Sequence, residues 1–255
     1  MDERVGPLAL RRAVLGGGFA AFLFALWEAY AHTHPVTFNS MPAPSEIVGV
    51  IGRNFPVMWP HMESTTTECA MAFLIAAAAG IALGAFVAYS QVALEALYPH
   101  VVVFQIIPKV ALAPLFIVWL GVGSTSRLSF AIFSSFFPTL ISTLVGLQST
   151  RADYIRLCRS LMAPKWRLFL QVCFPFALTH IFSGLKIAVT MAIIGVVVGE
   201  FITAQVGLGY IIKFSAAAME MQLVFAAVAL LCVVGLGLYG AVVLAERLVM
   251  AKYGP

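Results

Sequence analysis

Apolar residues in this chain come in runs of about twenty, separated by shorter polar stretches that hold most of the prolines. A helix needs about twenty such residues to cross roughly 30 Å of hydrocarbon. Only helices or closed barrels satisfy their backbone there. Barrel strands would alternate apolar and polar residues at period two, and these runs do not. The pattern therefore predicts six helical spans, at about 13–31, 67–90, 101–120, 128–148, 183–203 and 223–246. Pro35, Pro42, Pro44, Pro56 and Pro60 punctuate the first loop, Pro99 precedes the third span, and Pro164 and Pro175 fall in the loop after the fourth. The expected fold is an all-α membrane protein with one domain: a short N-terminal segment (1–12), a six-span domain (13–248) with a loop at about 149–182, and a tail (249–255).

Composition agrees with the pattern. Of 255 residues, 62% are hydrophobic and 10% charged, with a mean hydropathy of +0.99, which excludes an ordinary soluble domain. Charge sets the orientation, because cytoplasmic loops collect Lys and Arg. With the N-terminus inside, six crossings put Arg4, Arg11 and Arg12, the basic 149–182 loop, and the C-terminus with Arg247 and Lys252 in the cytoplasm. Outer loops keep only Arg53, Arg127 and Lys213. The net charge of +4 thus reflects topology and is no sign of nucleic-acid binding. Arg11-Arg12 followed by Ala29-Tyr30-Ala31 also fits a cleaved secretory signal. The length of the run and the interfacial aromatics Trp27 and Tyr30 favour a retained span.

Little enzyme chemistry is visible. The four cysteines are far apart and read as packing residues. His32 and His34 form a pair at a span end, more simply an interfacial loop than a metal site. No G-x-x-x-x-G-K-[ST] phosphate loop is present, so energy for uphill transport must come from a partner or an ion gradient. Ala76, Gly80, Gly84 and Ala88, and again Gly195 and Gly199, repeat at a spacing that lets membrane helices pack closely. Charges inside spans are costly and mark functional candidates. Lys109 follows Gln105 and Pro108 in the third span, and Glu200 lies near the outer end of the fifth. Each is a pathway candidate, and each has a structural alternative in pairing or snorkelling. Pro108 and Pro114 interrupt the third span's hydrogen-bond ladder, and a broken span can line a cavity.

Between Arg151 and Arg167 lie five of the fifteen Lys and Arg residues. There Tyr154, Leu157, Cys158 and Leu161 fall at i, i+3, i+4 and i+7, one apolar face of a short helix, with Arg156 and Arg159 off that face. Ser149 or Thr150 can cap it, and Pro164 stops it. Such a helix lies on lipid headgroups or docks in a partner's groove.

This loop resembles the EAA loop of ABC importer permeases, a pattern of E-A-A, three residues, G, nine residues, I, any residue, L-P. Here it reads Arg156-Leu157-Cys158, three residues, Met162, nine residues, Val172, Cys173, Phe174-Pro175, with Ala163 and Pro175 also matching. The spacing is kept while the Glu, the second Ala and the Gly are replaced. MPAPSEIV (41–48), IPKVALAPLFIVWLGVGSTSR (107–127), FFPTLISTLVGLQS (136–149), GLKIAV (184–189) and GEFITAQVGLGYII (199–212) follow in the order of that family's nitrate/sulfonate/taurine-type branch. The resemblance covers residues 40 to 248.

It implies a type I importer fold in a bacterial cytoplasmic (inner) membrane, with both termini cytoplasmic. Two permease copies would form the pathway, two separate ATPase subunits would hold ATP and Mg, and an extracytoplasmic solute-binding protein would deliver substrate. This chain would bind no cofactor and would not be the enzyme. Tyr154, Arg156, Leu157, Cys158, Arg159, Leu161, Met162, Ala163 and Pro164 would form the coupling helix. Glycine in place of Met162 would permit a left-handed turn that Met resists. The branch handles small anions such as nitrate, sulfonates and taurine, and similar permeases carry pyrimidine vitamin precursors, riboflavin-like rings and aromatic acids. Lys109 suits an anion, while Phe104, Phe116 and Trp119 suit a ring. Readings from other classes are a stand-alone ion-coupled carrier or channel using Lys109 and Glu200, and a membrane hydrolase using Ser183 and His180.

Overall fold

The computed structural model describes residues 5–33, 41–203 and 205–253; the side chains of 5–13, 152, 159 and 165 fall outside the described set. His34 and Pro35 lie outside it as well. All regular structure among the described residues is helical: α1 (Val5–Thr33), α2 (Pro44–Tyr89), α3 (Gln91–Ile106), α4 (Ala113–Leu120), α5 (Ser124–Gln148), α6 (Ala152–Ser160), α7 (Lys165–Leu168), α8 (Phe174–Thr203), α9 (Leu208–Ala217) and α10 (Met221–Tyr253). Five helical stretches are long and apolar enough to cross a membrane, and the sixth expected span is broken: Gln91–Ile106 and Lys109–Leu120 meet at 89°.

Several boundaries differ from the expected ones. The first loop is mostly helix, because α2 runs 46 residues through Pro56 and Pro60. At 1.5 Å per residue this is about 69 Å, roughly twice the hydrocarbon thickness. Pro44 starts α2 at the first turn, where its missing N–H costs nothing. Pro56 and Pro60 lie on the exposed side. The opposite side buries Ile47, Val50 and Met58 against Leu208, Ala226, Ala227 and Leu230. That packing keeps the helix intact across two residues that propensity alone reads as breakers. The loop after α5 is also shorter than expected, because residues 166–203 form one helical stretch of 38 residues. A π-turn at Phe169–Cys173, closed by the Phe174 N–H on Phe169 O, carries the helix past Pro175, which has no N–H to offer.

α5 is the central post, packed between α2 and α8. The small-residue stripes face it. A Cβ on Gly80 would lie 2.8 Å from Thr139 Cβ, one on Gly84 2.8 Å from Leu140 O, and one on Gly195 2.7 Å from Ala131 Cα. Small residues serve here to bring backbones together. The bundle has two distinct ends. At one, Trp27 of α1, the start of α2, Leu208 and the start of α10 cluster. At the other, Phe169, Cys173 and Phe174 pack on the cluster of Leu147, Ala177 and Ile181, and Phe174, with Val249 and Met250 of α10, packs on the adjoining cluster of Leu178, Phe182, Val189 and Val242. The 149–164 loop and the end of α10 therefore share a side.

Two ion pairs cross between helices, one of them on the post, and neither is evident from the sequence pattern. Arg127, expected in an outer loop, lies in the first turn of α5, and its Nε donates to Glu68 Oε2 of α2 at 3.1 Å. Lys186 of α8 pairs with Glu246 of α10 at 2.5 Å.

Candidate functional site

Three places carry the sequence candidates. The first is α6. It opens on the Arg151 carbonyl, which accepts from the N–H groups of Tyr154 (3.1 Å) and Ile155 (3.4 Å). It closes with the Ala163 N–H on Cys158 O at 3.0 Å and Met162 at φ 54°. This is the Schellman closure, in which the residue after the helix turns left-handed and is usually glycine. Met162 therefore adopts the conformation that its side chain disfavours, at a cost of about 1–2 kcal/mol. The ring of Tyr154 stacks on Phe176 of α8 at 5.3 Å, tethering the helix to the bundle. Leu157, Leu161 and Met162 are 57%, 72% and 92% exposed, and Arg156 is exposed beside them. Cys158, Ala163 and Ile155 turn partly inward. Ile155 and Ala163 line a cavity of about 730 Å³ with Tyr89 and Leu94. The side chain of Arg159 lies outside the described residues, and Pro164 starts the next turn by accepting from Arg167 N–H at 3.0 Å.

The second place is the elbow between α3 and α4. Ile107 and Pro108 are extended (ψ 129° and 98°), and a 3-10 turn, Lys109–Leu112, follows. Lys109 Nζ donates to Ser134 O of α5 at 3.3 Å and lies 5.3 Å from the Phe137 ring centroid. Gln105, Pro108 and Lys109 line a pocket of about 350 Å³ with Ser134 and Met191. The Ser134 hydroxyl is buried and has no hydrogen-bond partner.

The third place is Glu200. It is 1% exposed and does not line the elbow pocket. Its Oε1 accepts from Thr65 Oγ1 at 2.7 Å, and that same hydroxyl accepts from the Leu208 N–H at 2.8 Å. Its Oε2 accepts from the Gly209 N–H at 2.7 Å. His61 Nδ1 accepts from the Gly207 N–H at 3.0 Å. Glu200 thus caps the start of α9, where free N–H groups and the helix dipole favour a carboxylate. Gly207, at φ 129°, must stay bare, because a Cβ there would sit on Glu200 Oε1. Lys109 and Glu200 have separate partners and do not pair with each other. The Ser183–His180 couple is not formed either, since Ser183 Oγ donates to Thr179 O at 2.9 Å. His32 Nε2 meets Glu28 Oε1 at 3.0 Å, and no three His, Cys, Asp or Glu residues cluster as metal ligands among the described residues.

A helical bundle of this kind, with a broken span on the flank of its central post and an apolar helix displayed on one loop, defines an integral-membrane transport permease. Residues 80–250 match the family described as binding-protein-dependent transport system inner membrane component, and the chain belongs to it. It is 30% identical to a probable ABC transporter permease protein of Haemophilus influenzae over 85% of this chain and 89% of that one. It is 32% identical to the riboflavin transport system permease protein RibX of Chloroflexus aurantiacus (89% and 86%), and 26% identical to the taurine transport system permease protein TauC of Escherichia coli (89% and 85%). Among solved structures, a chain of the MetNI methionine ABC transporter, captured inward-facing, superposes with a TM-score of 0.56 over 73% of this chain and 98% of that one. At 18% identity that likeness shows the fold. The chain is accordingly the transmembrane permease of an ABC importer of the inner membrane. The family works with an ATPase and a solute-binding protein, and its permeases are not the hydrolytic subunits.

Proposed function

We propose that α6 is the cytoplasmic coupling helix through which two copies of this permease engage two ATPase subunits, and that the pathway between the copies carries a small anion. The exposed apolar face carries this reading. Leu157, Leu161 and Met162 stand out from the bundle on a loop flanked by Arg151, Arg156 and Arg167. Leaving them in water forfeits roughly 1.5–3 kcal/mol each for the larger side chains, which a partner's groove recovers. The arginines would meet acidic positions on the rim. The loop and the end of α10 share one side of the bundle, which supports placing both, and the N-terminus, in the cytoplasm by their positive charge. ATP and Mg then belong to the ATPase.

An anion is favoured by Lys109, whose ammonium faces a pocket with no carboxylate in its lining, and by the taurine permease among the relatives. Native mass measurement of the solubilised complex is expected to give two permease and two ATPase chains. Uptake in proteoliposomes with the cognate binding protein is expected to respond to nitrate, taurine or alkanesulfonates. A transporting species with no ATPase subunit would sink the assembly, and uptake of riboflavin in preference to every anion would sink the substrate class.

A further inference from the structure

We infer that the elbow pocket is a binding site for the oxyanion head of a small organic acid, a carboxylate or sulfonate, held by Lys109 and Ser134 with its apolar body against Met191 and Ile194. The inference rests on the small-anion reading above and specifies where the anion sits and what it must carry.

Four observations converge. Among the described residues, Lys109 is half-buried against α5 and has no acid beside it. Arg127 has Glu68 and Lys186 has Glu246, whereas the Lys109 ammonium has one hydrogen bond, to a backbone carbonyl at 3.3 Å. An ammonium offers three N–H donors, so two remain. Ser134 is 4% exposed, and its hydroxyl lacks any partner. Its neighbours on α5 show that this is not forced by the helix: Ser135 and Thr143 donate to carbonyls one turn back at 2.8 and 2.7 Å. Buried hydroxyls are normally satisfied, so the Ser134 hydroxyl, on a residue that lines the pocket beside Lys109, is available to an acceptor that enters there. The lining contains no Asp or Glu, and its remaining polar side chain is Gln105, which can donate through its amide. A donor-rich, acid-free lining selects an acceptor-rich ligand.

Size sets the rest of the ligand. The pocket holds about 350 Å³, at the lower end of the range of about 300–1,000 Å³ for small-molecule sites. A bare inorganic anion leaves most of that space empty. Phe130, Met191 and Ile194 offer an apolar wall. The ligand is therefore an organic acid with a few carbons. Pro108, at the break in the span, is part of the pocket wall.

The test uses the permease–ATPase complex in nanodiscs and calorimetric titration with butane-1-sulfonate, butyrate, nitrate and 1-butanol. Wild type is expected to bind the two organic anions saturably, nitrate at least tenfold more weakly, and butanol without saturation. Lys109→Met should weaken organic-anion binding at least tenfold, Lys109→Arg should stay within a few-fold of wild type, and Ser134→Ala should lose a few-fold. If Lys109→Met fails to fold, the Ser134→Ala loss and the Lys109→Arg retention decide. Unchanged affinity in Lys109→Met, or in Ser134→Ala where it alone decides, overturns this site while leaving the anion reading intact. Nitrate binding as tightly as butanesulfonate overturns the organic body. No anion binding by wild type removes both this site and the anion reading.

Discussion

Glu200 and Lys109 look alike along the chain, each a single charge in an apolar run, and the fold treats them in opposite ways. Both carboxyl oxygens of Glu200 accept hydrogen bonds, at 2.7 Å each, and its neighbours Gly207 and Gly209 leave room only for it. Lys109 has one long bond, a ring and a pocket. One charge closes a structural joint between α2, α8 and α9. The other is left unfinished by its own chain. A charge in a membrane span is thus a question about partners, and the polar atoms left over distinguish a lock from a binding site.

That contrast can be broken by mutation. The largest effect is expected at the Glu68–Arg127 pair, another closed joint. Arg127→Met strands a buried carboxylate and should cost about 3–5 kcal/mol. The double variant with Glu68→Gln should recover much of it in a double-mutant cycle read by thermal unfolding in detergent. Next, Glu200→Ala removes the acceptor of Gly209 N–H and Thr65 Oγ1, buried donors worth about 1–3 kcal/mol each when orphaned. Unfolding should shift by about 2–3 kcal/mol, less than at the ion pair. Lys109→Met, by contrast, should change unfolding by less than about 1 kcal/mol while reducing uptake, since a pathway cation loses little structure. Equal destabilisation by Glu200→Ala and Lys109→Met would erase the distinction between lock and site. The smallest effect is expected at Met162: Met162→Gly relieves a left-handed residue and should stabilise the α6 turn by about 1 kcal/mol, measurable as slower amide exchange at Ala163.

Much of this architecture was legible in the sequence, because span hydropathy and the order of motifs from 41 to 212 need no partner to be read. The broken third span was legible too, from Pro108 and Pro114. What escaped depends on contacts between distant residues. Pro56 and Pro60 read as loop, yet Met58 and Val50 are held helical by Leu208 and α10. Arg127 read as an outer-loop cation, and Glu68, Lys186 and Glu246 were passed over, because charge pairing across helices leaves no local pattern. Met162 read as resisting a left-handed turn. The structure shows that it takes the turn, with the Ala163–Cys158 bond closing the helix around it. The fates of Glu200 and Lys109 were not separable until their partners were visible.

The coupling role of α6 is tested most directly by replacing Leu157 and Leu161 together with Asp, then comparing membrane insertion with co-purification of the ATPase. Burying two carboxylates in an apolar groove without partners is prohibitively costly, and both side chains face away from the bundle. The double variant is expected to insert and fold at wild-type levels, to lose the ATPase subunits, and to abolish ATP-driven uptake. Normal ATPase co-purification and uptake would contradict the assignment and place this face of α6 on the lipid surface instead.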